Sequence, residues 1–246
     1  MVAEAIRILI NGAAGKMGQE AVKAIRNAPD LILVGETGRN DNVTSAIAKT
    51  QAQVVVDLTT ASAAFDNACQ IIDAGAHPVI GTSGLLEEQV QLLAERCEQK
   101  KLGGLIVPNF SVGAVLAMQY ARDCARYFPS VEIIELHHNK KADAPSGTAA
   151  RTAELIAQVK AKAPINLAEK EILPGARGAS YKDIPIHSIR LPGLLAHQIV
   201  MFGSAGELLS IKHDITSREA YMPGLCLACR KVVTLNSLKV GLEHVL

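Results

Sequence analysis

Residues 135–149 read Glu-Leu-His-His-Asn-Lys-Lys-Ala-Asp-Ala-Pro-Ser-Gly-Thr-Ala, which places two histidines, two lysines and a helix start within one short segment. Imidazole exchanges a proton near neutral pH, and a lysine stays charged while it anchors an anion. A helix start offers backbone N–H groups that have no intrahelical acceptor and suit a carboxylate or a phosphate. The apolar residues Val131, Ile133, Ile134 and Leu136 predict a strand with His137 and His138 at its end, where the pleat sends consecutive side chains in different directions. The two histidines therefore need not share a role. Lys140 and Lys141 follow on a loop, because Asp143-Ala144-Pro145 does not continue a strand and Pro145 biases Ala144 towards extended backbone. Ser146 or Thr148 then caps a helix running through Ala149 to about Lys162.

A second constellation stands near the start of the chain. An aliphatic strand over 6–10 runs into Asn11-Gly12-Ala13-Ala14-Gly15-Lys16-Met17-Gly18, and a helical stretch follows over 19–27. Glycines suit a strand-to-helix turn that is tight, lets a pyrophosphate approach the backbone, and packs the helix on the strand. The spacing Gly-x-x-Gly-x-x-Gly is one residue longer than the usual Gly-x-Gly-x-x-Gly. Many such turns hold no ligand, but a second strand over 31–35 completes the unit and favours a dinucleotide.

Composition narrows the function classes. Hydrophobic residues make up 49% of the 246 but aromatic ones only 3%, with no Trp, so a single-stranded nucleic acid would find few stacking platforms. Lys and Arg number 25 against 24 Asp and Glu, too even a balance for a protein built to neutralise many phosphates. No secretory pattern opens the sequence, and its apolar runs fall short of the ~20 residues that span a bilayer; a cytoplasmic protein is expected, without nucleic-acid or membrane partners. Five scattered cysteines suit a reducing compartment. Cys226-x-x-Cys229 reads as core packing on a helix face, since no second pair completes four ligands, and adjacent His137 and His138 make a poor zinc site, so no metal is expected.

The elements that must position these residues alternate at first. Strands are expected over 6–10, 31–35, 54–58, 79–81 and 105–107, with helices over 19–27, 62–74 and 85–101. This is the α/β pattern of a Rossmann-like, doubly wound parallel sheet, with ligands at the carboxyl ends of its strands. Those ends carry Asp57-Leu58-Thr59-Thr60, Gly81-Thr82-Ser83-Gly84 and Pro108-Asn109-Phe110, read together as the wall of a cofactor crevice. After a helix over 111–128, strands over 131–136, 186–190, 198–202 and 207–215 predict a smaller α+β domain with a mixed sheet. Residues 164–185 form a long connection, and a last helix over 223–237 returns to the first domain. The resulting division is 1–109 with 219–246 for the dinucleotide, and 110–218 for the substrate.

The glycine turn, Gly81-Thr82-Ser83-Gly84, Pro108-Asn109-Phe110-Ser111-Val112-Gly113, Arg190-Leu191-Pro192-Gly193, Ala196-His197-Gln198 and above all His137 to Thr148 resemble the 4-hydroxy-tetrahydrodipicolinate reductase family, long called dihydrodipicolinate reductases. The resemblance spans essentially the whole chain. It implies reduction of a small cyclic dicarboxylate by NADPH or NADH in lysine and diaminopimelate biosynthesis, in a homotetramer joined through the substrate domains. By resemblance His137 is the general acid and Lys141 holds or polarises the substrate, while His138, Ser146, Gly147 and Thr148 grip its carboxylates. Gly12, Ala13, Ala14, Gly15, Lys16, Met17, Arg39, Gly81, Thr82, Ser83, Pro108, Asn109 and Phe110 fall to the cofactor.

One departure bears on the cofactor. The acid that grips the adenosine ribose falls at Gly38, with Arg39 beside it, an arrangement that favours the extra phosphate of NADPH. Glu36 is the alternative carboxylate, with the opposite preference. Two rival readings are a dinucleotide sensor without catalysis, which would not need the histidine-lysine segment, and a reductase of the same architecture acting on an aldehyde or a sugar.

Overall fold

The computed structural model describes residues 5–160 and 171–246. The chain divides into two compact units, Met1–Val112 with Arg218–Leu246, and Gly113–Ser217.

The first unit begins with β1 (Ile6–Asn11), α1 (Lys16–Asn27) and β2 (Leu31–Thr37). Helix α1 starts three residues earlier than expected, within the glycine turn, and β2 runs two residues further, to Thr37. A helix outside the expected set, α2 (Val43–Thr50), follows, capped by Asn42 Oδ1 accepting from Ser45 N at 2.8 Å. Its signal is short, since only Val43 and Ile47 are buried. Then come β3 (Val54–Asp57), α3 (Ala61–Asp73), β4 (His77–Ile80), α4 (Glu87–Lys100) and β5 (Gly104–Ile106). Val54, Val55 and Val56 are all fully buried, so β3 is covered on both faces and shows no alternation.

The second unit contains α5 (Val112–Cys124), apart from its first residue, and β6 (Ser130–His137), α6 (Gly147–Val159), β7 (Ala179–Tyr181), β8 (Ile184–Arg190), β9 (Ala196–Ser204) and β10 (Glu207–Ile215). Helix α5 stops at Cys124, short of the expected 128. Lys162 and the first part of the 164–185 connection lie outside the described residues, and the rest of that connection contains β7 and the start of β8. The five strands lie in the order β10-β9-β6-β8-β7, with β6 and β8 parallel and the other pairs antiparallel. One face supplies Val131, Ile133, Ile184, Ile186, Val200 and Phe202 to a core shared with Ala121, Ala149, Ala153 and Ile156. The Phe128 and Phe202 rings meet there at 5.6 Å.

The chain then returns to the first unit through α7 (Met222–Val232) and β11 (Leu238–Val240). The helix expected over 223–237 ends five residues early, at Val232, and an edge strand follows it at Leu238–Val240. Cys226 and Cys229 lie buried on α7, and burial pushes both thiols up, away from the reactive thiolate form. The parallel sheet runs β11-β5-β4-β3-β1-β2. From β1 the chain moves to β2 on one side and later to β3 on the other, so the strand order reverses between β1 and β3 and opens a crevice at their carboxyl ends. Among the described residues no helix is long and apolar enough to cross a membrane.

Candidate nucleotide crevice and histidine-lysine segment

In the first unit the crevice is lined by backbone. Gly12 sits at φ +88°, a conformation L side chains rarely adopt, and a Cβ there would lie 2.7 Å from Leu58 O. A Cβ on Gly18 would stand 2.2 Å from Gly12 O, so α1 packs against the turn only because position 18 has no side chain. The amides of Gly12 and Ala13 both donate to Thr37 O, at 2.8 and 3.1 Å, and Gly15 N donates to Gly12 O at 3.0 Å. Helix α1 opens at Gly15 with no side-chain cap. Ala14, Gly15 and Lys16 are exposed there, Met17 is half-buried, and Ala13 is buried. A bare helix start beside a turn from which Cβ atoms are excluded fits a pyrophosphate, and hence a dinucleotide.

Beneath the turn lies a polar network that sequence reading did not assemble. Asp57, at the end of β3, is fully buried. Its Oδ2 accepts from Asn11 Nδ2 and Asn67 Nδ2, each at 2.8 Å, and its Oδ1 accepts from Thr59 Oγ1 at 2.8 Å and Thr82 Oγ1 at 3.1 Å. Thr37 Oγ1 donates to Asn11 Oδ1 at 2.9 Å. One carboxylate with neutral donors thereby ties together the ends of β1, β2 and β3 and the loop after β4. Thr82 belongs to this tie, while Ser83 beside it is exposed. Asn109 folds its Oδ1 back onto Ser111 N at 2.8 Å, next to exposed Pro108. The Phe110 ring is buried against Gly81, where a Cβ would be 2.6 Å from it, so what Phe110 offers a ligand is its backbone.

Arg39 is exposed just beyond the end of β2. Glu36 lies inside the strand with Oε1 2.7 Å from Arg26 Nη2. Gly38 N donates to Asp41 Oδ2 at 2.8 Å, closing the turn that carries Arg39.

In the second unit the expected residues gather at the carboxyl end of β6. His137 is its last residue and His138 the next, and Lys141 N donates to His138 O at 3.1 Å, closing a tight turn. Lys141 Nζ holds both oxygens of Asp143, at 2.7 and 2.8 Å, and this bond keeps the Asp143 carboxyl below its ordinary range. After a cis Ala144–Pro145 bond, Ser146 caps α6 by accepting from Ala149 N at 3.2 Å. Ser146 is buried, and its amide donates to Glu135 Oε1 at 3.3 Å, so both its hydroxyl and its amide are engaged within the chain. Gly147 is exposed, with nothing within 4 Å of where a Cβ would stand, and leaves the helix start open beside Thr148.

Glu135 and Arg190 were missed as functional residues. Glu135 is fully buried, with His137 Nδ1 2.5 Å from its Oε2 and the Arg190 guanidinium forked across both its oxygens. Burial alone would raise this carboxyl, yet the donors from His137, Arg190 and Ser188 outweigh it and pull the group down to about 2. A sequence signal exists. Val131, Ile133 and Glu135 share the inward phase of β6, and an acid at the third inward position needs a reason. Among the described residues no group of three or more His, Cys, Asp or Glu is placed to hold a metal ion.

Two family models cover nearly the whole chain. That for the amino-terminal part of dihydrodipicolinate reductase matches residues 6–110, and that for the carboxyl-terminal part matches 113–246. The 4-hydroxy-tetrahydrodipicolinate reductase of Legionella pneumophila strain Philadelphia 1 is 53% identical over 240 residues, covering 98% of this chain and 99% of its own length. The enzyme of the same name from Coxiella burnetii strain RSA 493 is 51% identical over 242 residues, covering 98% and 100%. Among solved structures, dipicolinate-bound dihydrodipicolinate reductase from Paenisporosarcina sp. TG-14 superposes with a TM-score of 0.91 at 42% identity, covering 98% of this chain and all of that one.

Proposed function

The chain belongs to the dihydrodipicolinate reductase family, and from that premise we propose which of its residues carry out the NAD(P)H-dependent reduction of 4-hydroxy-tetrahydrodipicolinate, a step of lysine and diaminopimelate biosynthesis. In this reaction the 4-hydroxyl leaves as water, and the conjugated ring that results takes up one hydride and one proton on neighbouring carbons. NAD(P)H supplies the hydride when it is bound. The backbone amides at the bare start of α1 hold its pyrophosphate, admitted by the turn of Gly12, Ala13, Ala14 and Gly15, with Lys16 and Met17 beside it, and Gly81, Thr82, Ser83, Pro108, Asn109 and the Phe110 backbone form the wall. Arg39 takes the 2′-phosphate of NADPH. Two features support that preference: Gly38 offers no carboxylate, and Glu36 is drawn aside by Arg26.

His137 delivers the proton to the carbon next to the reduced one. Lys141 grips one substrate carboxylate, and His138 with the helix start at Gly147 and Thr148 grips the other. The observation that carries the dicarboxylate reading is the Lys141–Asp143 pair, an ammonium already holding both oxygens of a carboxylate beside an open helix start. A substrate carboxylate takes over the place of Asp143. The Paenisporosarcina enzyme, which its structure holds with dipicolinate, supports the same ligand class. Ser146 serves this end as the cap and anchor of α6.

The homotetramer is supported by the outward face of the mixed sheet, which carries Ile134, Leu136, Ile199 and Met201 between strands, with Leu208 66% exposed. Sedimentation of the purified protein tests it. No membrane-spanning helix among the described residues stands against a cytoplasmic enzyme. The activity is tested with enzymatically generated 4-hydroxy-tetrahydrodipicolinate and NADPH, following the absorbance of the reduced nicotinamide. Substrate-dependent loss of that absorbance is expected, and its absence at high protein concentration overturns the reading.

A further inference from the structure

His137 has two ring nitrogens, and a general acid must present the right one. Its side chain is only 13% exposed, so the ring cannot turn over without breaking contacts. Nδ1 points back along the strand to Glu135 Oε2, 2.5 Å away, two residues earlier on the same face of β6. Arg190 stands directly across from His137 in the parallel register of β6 and β8. Its Nη1 is 3.0 Å from Glu135 Oε2, its Nη2 is 2.8 Å from Oε1, and Nη2 also donates to Asp143 O at 2.7 Å. With Ser146 N on Oε1, one buried carboxylate joins β6, β8, the lysine loop and the start of α6.

An unpaired buried carboxylate is costly, and a forked guanidinium with further N–H donors is the arrangement that keeps one ionised. An ionised carboxylate only accepts hydrogen bonds. Nδ1 must then be the donor, which leaves Nε2 as the atom that gains and loses the catalytic proton. We propose that Glu135, held anionic by Arg190, is a positioning residue that fixes the Nδ1–H tautomer of His137 and so makes Nε2 the acid of the reaction. The same negative charge balances the imidazolium before it gives up its proton. The charged groups tied to the ring are then Glu135 on its own strand and, through Glu135, Arg190 on the neighbouring strand.

The inference rests on His137 as general acid, and the test separates the two. In Glu135→Gln the amide can either accept from Nδ1 or donate to it, so the tautomer is released while the side chain keeps its shape. We expect kcat to fall by about 100-fold or more with NADPH affinity little changed, and the melting temperature to fall as well because the buried pair with Arg190 is lost. Arg190→Lys keeps a cation without the fork and should lose less; it serves in its own right if Glu135→Gln folds poorly. Nitrogen-15 spectra of labelled His137 should show the neutral ring protonated on Nδ1 in the wild type and a tautomer mixture in Glu135→Gln. In a His137→Gln background, Glu135→Gln should cost less than about threefold more in kcat. Near wild-type turnover in Glu135→Gln, an unchanged tautomer, or an equal loss in the His137→Gln background overturns the proposal. Full turnover in His137→Gln alone would instead remove the general acid on which it stands.

Discussion

The two helix starts of this protein, α1 and α6, both receive anions in the proposed reaction, and they are built by opposite means. At α1 the chain removes everything: Gly15 caps nothing, and Gly12 and Gly18 are places where a side chain would strike backbone. At α6 it adds: Ser146 caps the helix, Glu135 holds the Ser146 amide, and Arg190 holds Glu135. The contrast follows from the ligands. A pyrophosphate is bound the same way before and after reduction, so fixed amide dipoles suffice. A substrate that takes up a proton needs groups that titrate and a charge to orient them.

Changes at α6 should therefore be read in the reaction with substrate, in kcat or in KM, and the largest effect is expected there. His137→Gln should lower kcat by about 100-fold to 10,000-fold while NADPH binds as in the wild type. Lys141→Ala should act mainly on the substrate KM, by about 10-fold to 100-fold, since a charged hydrogen bond to a substrate carboxylate is at stake. Steady-state kinetics at saturating cofactor separate the two, and a Lys141→Ala enzyme altered in kcat alone would show that the lysine polarises rather than holds.

Changes at α1 should be read in cofactor affinity. In Gly18→Ala the new methyl would fall 2.2 Å from Gly12 O and 2.7 Å from Ala13 Cα, so turn and helix must separate. Overpacking on this scale weakens NADPH binding by roughly 10-fold to 100-fold. Gly147→Ala is the matching change at α6, where the space is open, and should leave NADPH affinity and the melting temperature as they were. Fluorescence titration of both variants checks the comparison. Equal losses would mean that the glycines at α1 are not there to admit backbone.

How much of this was legible in the sequence depends on how far the partners lie apart along the chain. The glycine turn and the segment from His137 to Thr148 are contiguous, so residue types and local geometry sufficed to find them. The Asp57 network was not legible, because its donors Asn11, Thr59, Asn67 and Thr82 meet only once β1 has been placed beside β3, and β3 beside β4. Arg190 is likewise set across from His137 by a parallel pairing more than fifty residues apart in the sequence. Glu135 was within reach, but apolar Ile134 and Leu136 on the other face hid the alternation that puts an acid inside. Helix α2 and strands β7 and β11 escaped because each is too short to carry a period.

The electrostatic frame at α6 has a cost that α1 does not share, and it shows with acid. Glu135 sits at about 2 in the folded protein against an ordinary 4.5. Its contribution is fully present above the higher value and is lost as pH falls through the lower one, about 3 kcal/mol in all. Urea unfolding from about pH 6 down to about pH 2 should show a steeper loss of stability in the wild type than in Glu135→Gln. Parallel curves would mean that the carboxylate is not held by the folded state.

The smallest effect is expected where α1 meets a side chain, at the adenosine end. Strand β2 runs to Thr37, whose carbonyl is occupied by Gly12 N and Ala13 N, and Glu36 is paired with Arg26 at 2.7 Å. The first groups beyond the strand are therefore Gly38 and Arg39, and the turn is closed by Asp41 on the Gly38 amide. An exposed guanidinium at that position can fork onto a 2′-phosphate, but it remains in water, so the contact is worth only about 1 to 2 kcal/mol. Arg39→Ala should lower kcat/KM for NADPH by about 5-fold to 30-fold and leave NADH within about twofold. Glu36→Gln separates the alternatives. If that carboxylate grips a ribose, NADH efficiency falls with it, whereas a carboxylate engaged by Arg26 leaves both cofactors unaffected. A wild-type enzyme that strongly prefers NADH, or one whose NADPH efficiency ignores Arg39, would mean that α1 and its turn read the dinucleotide by backbone alone.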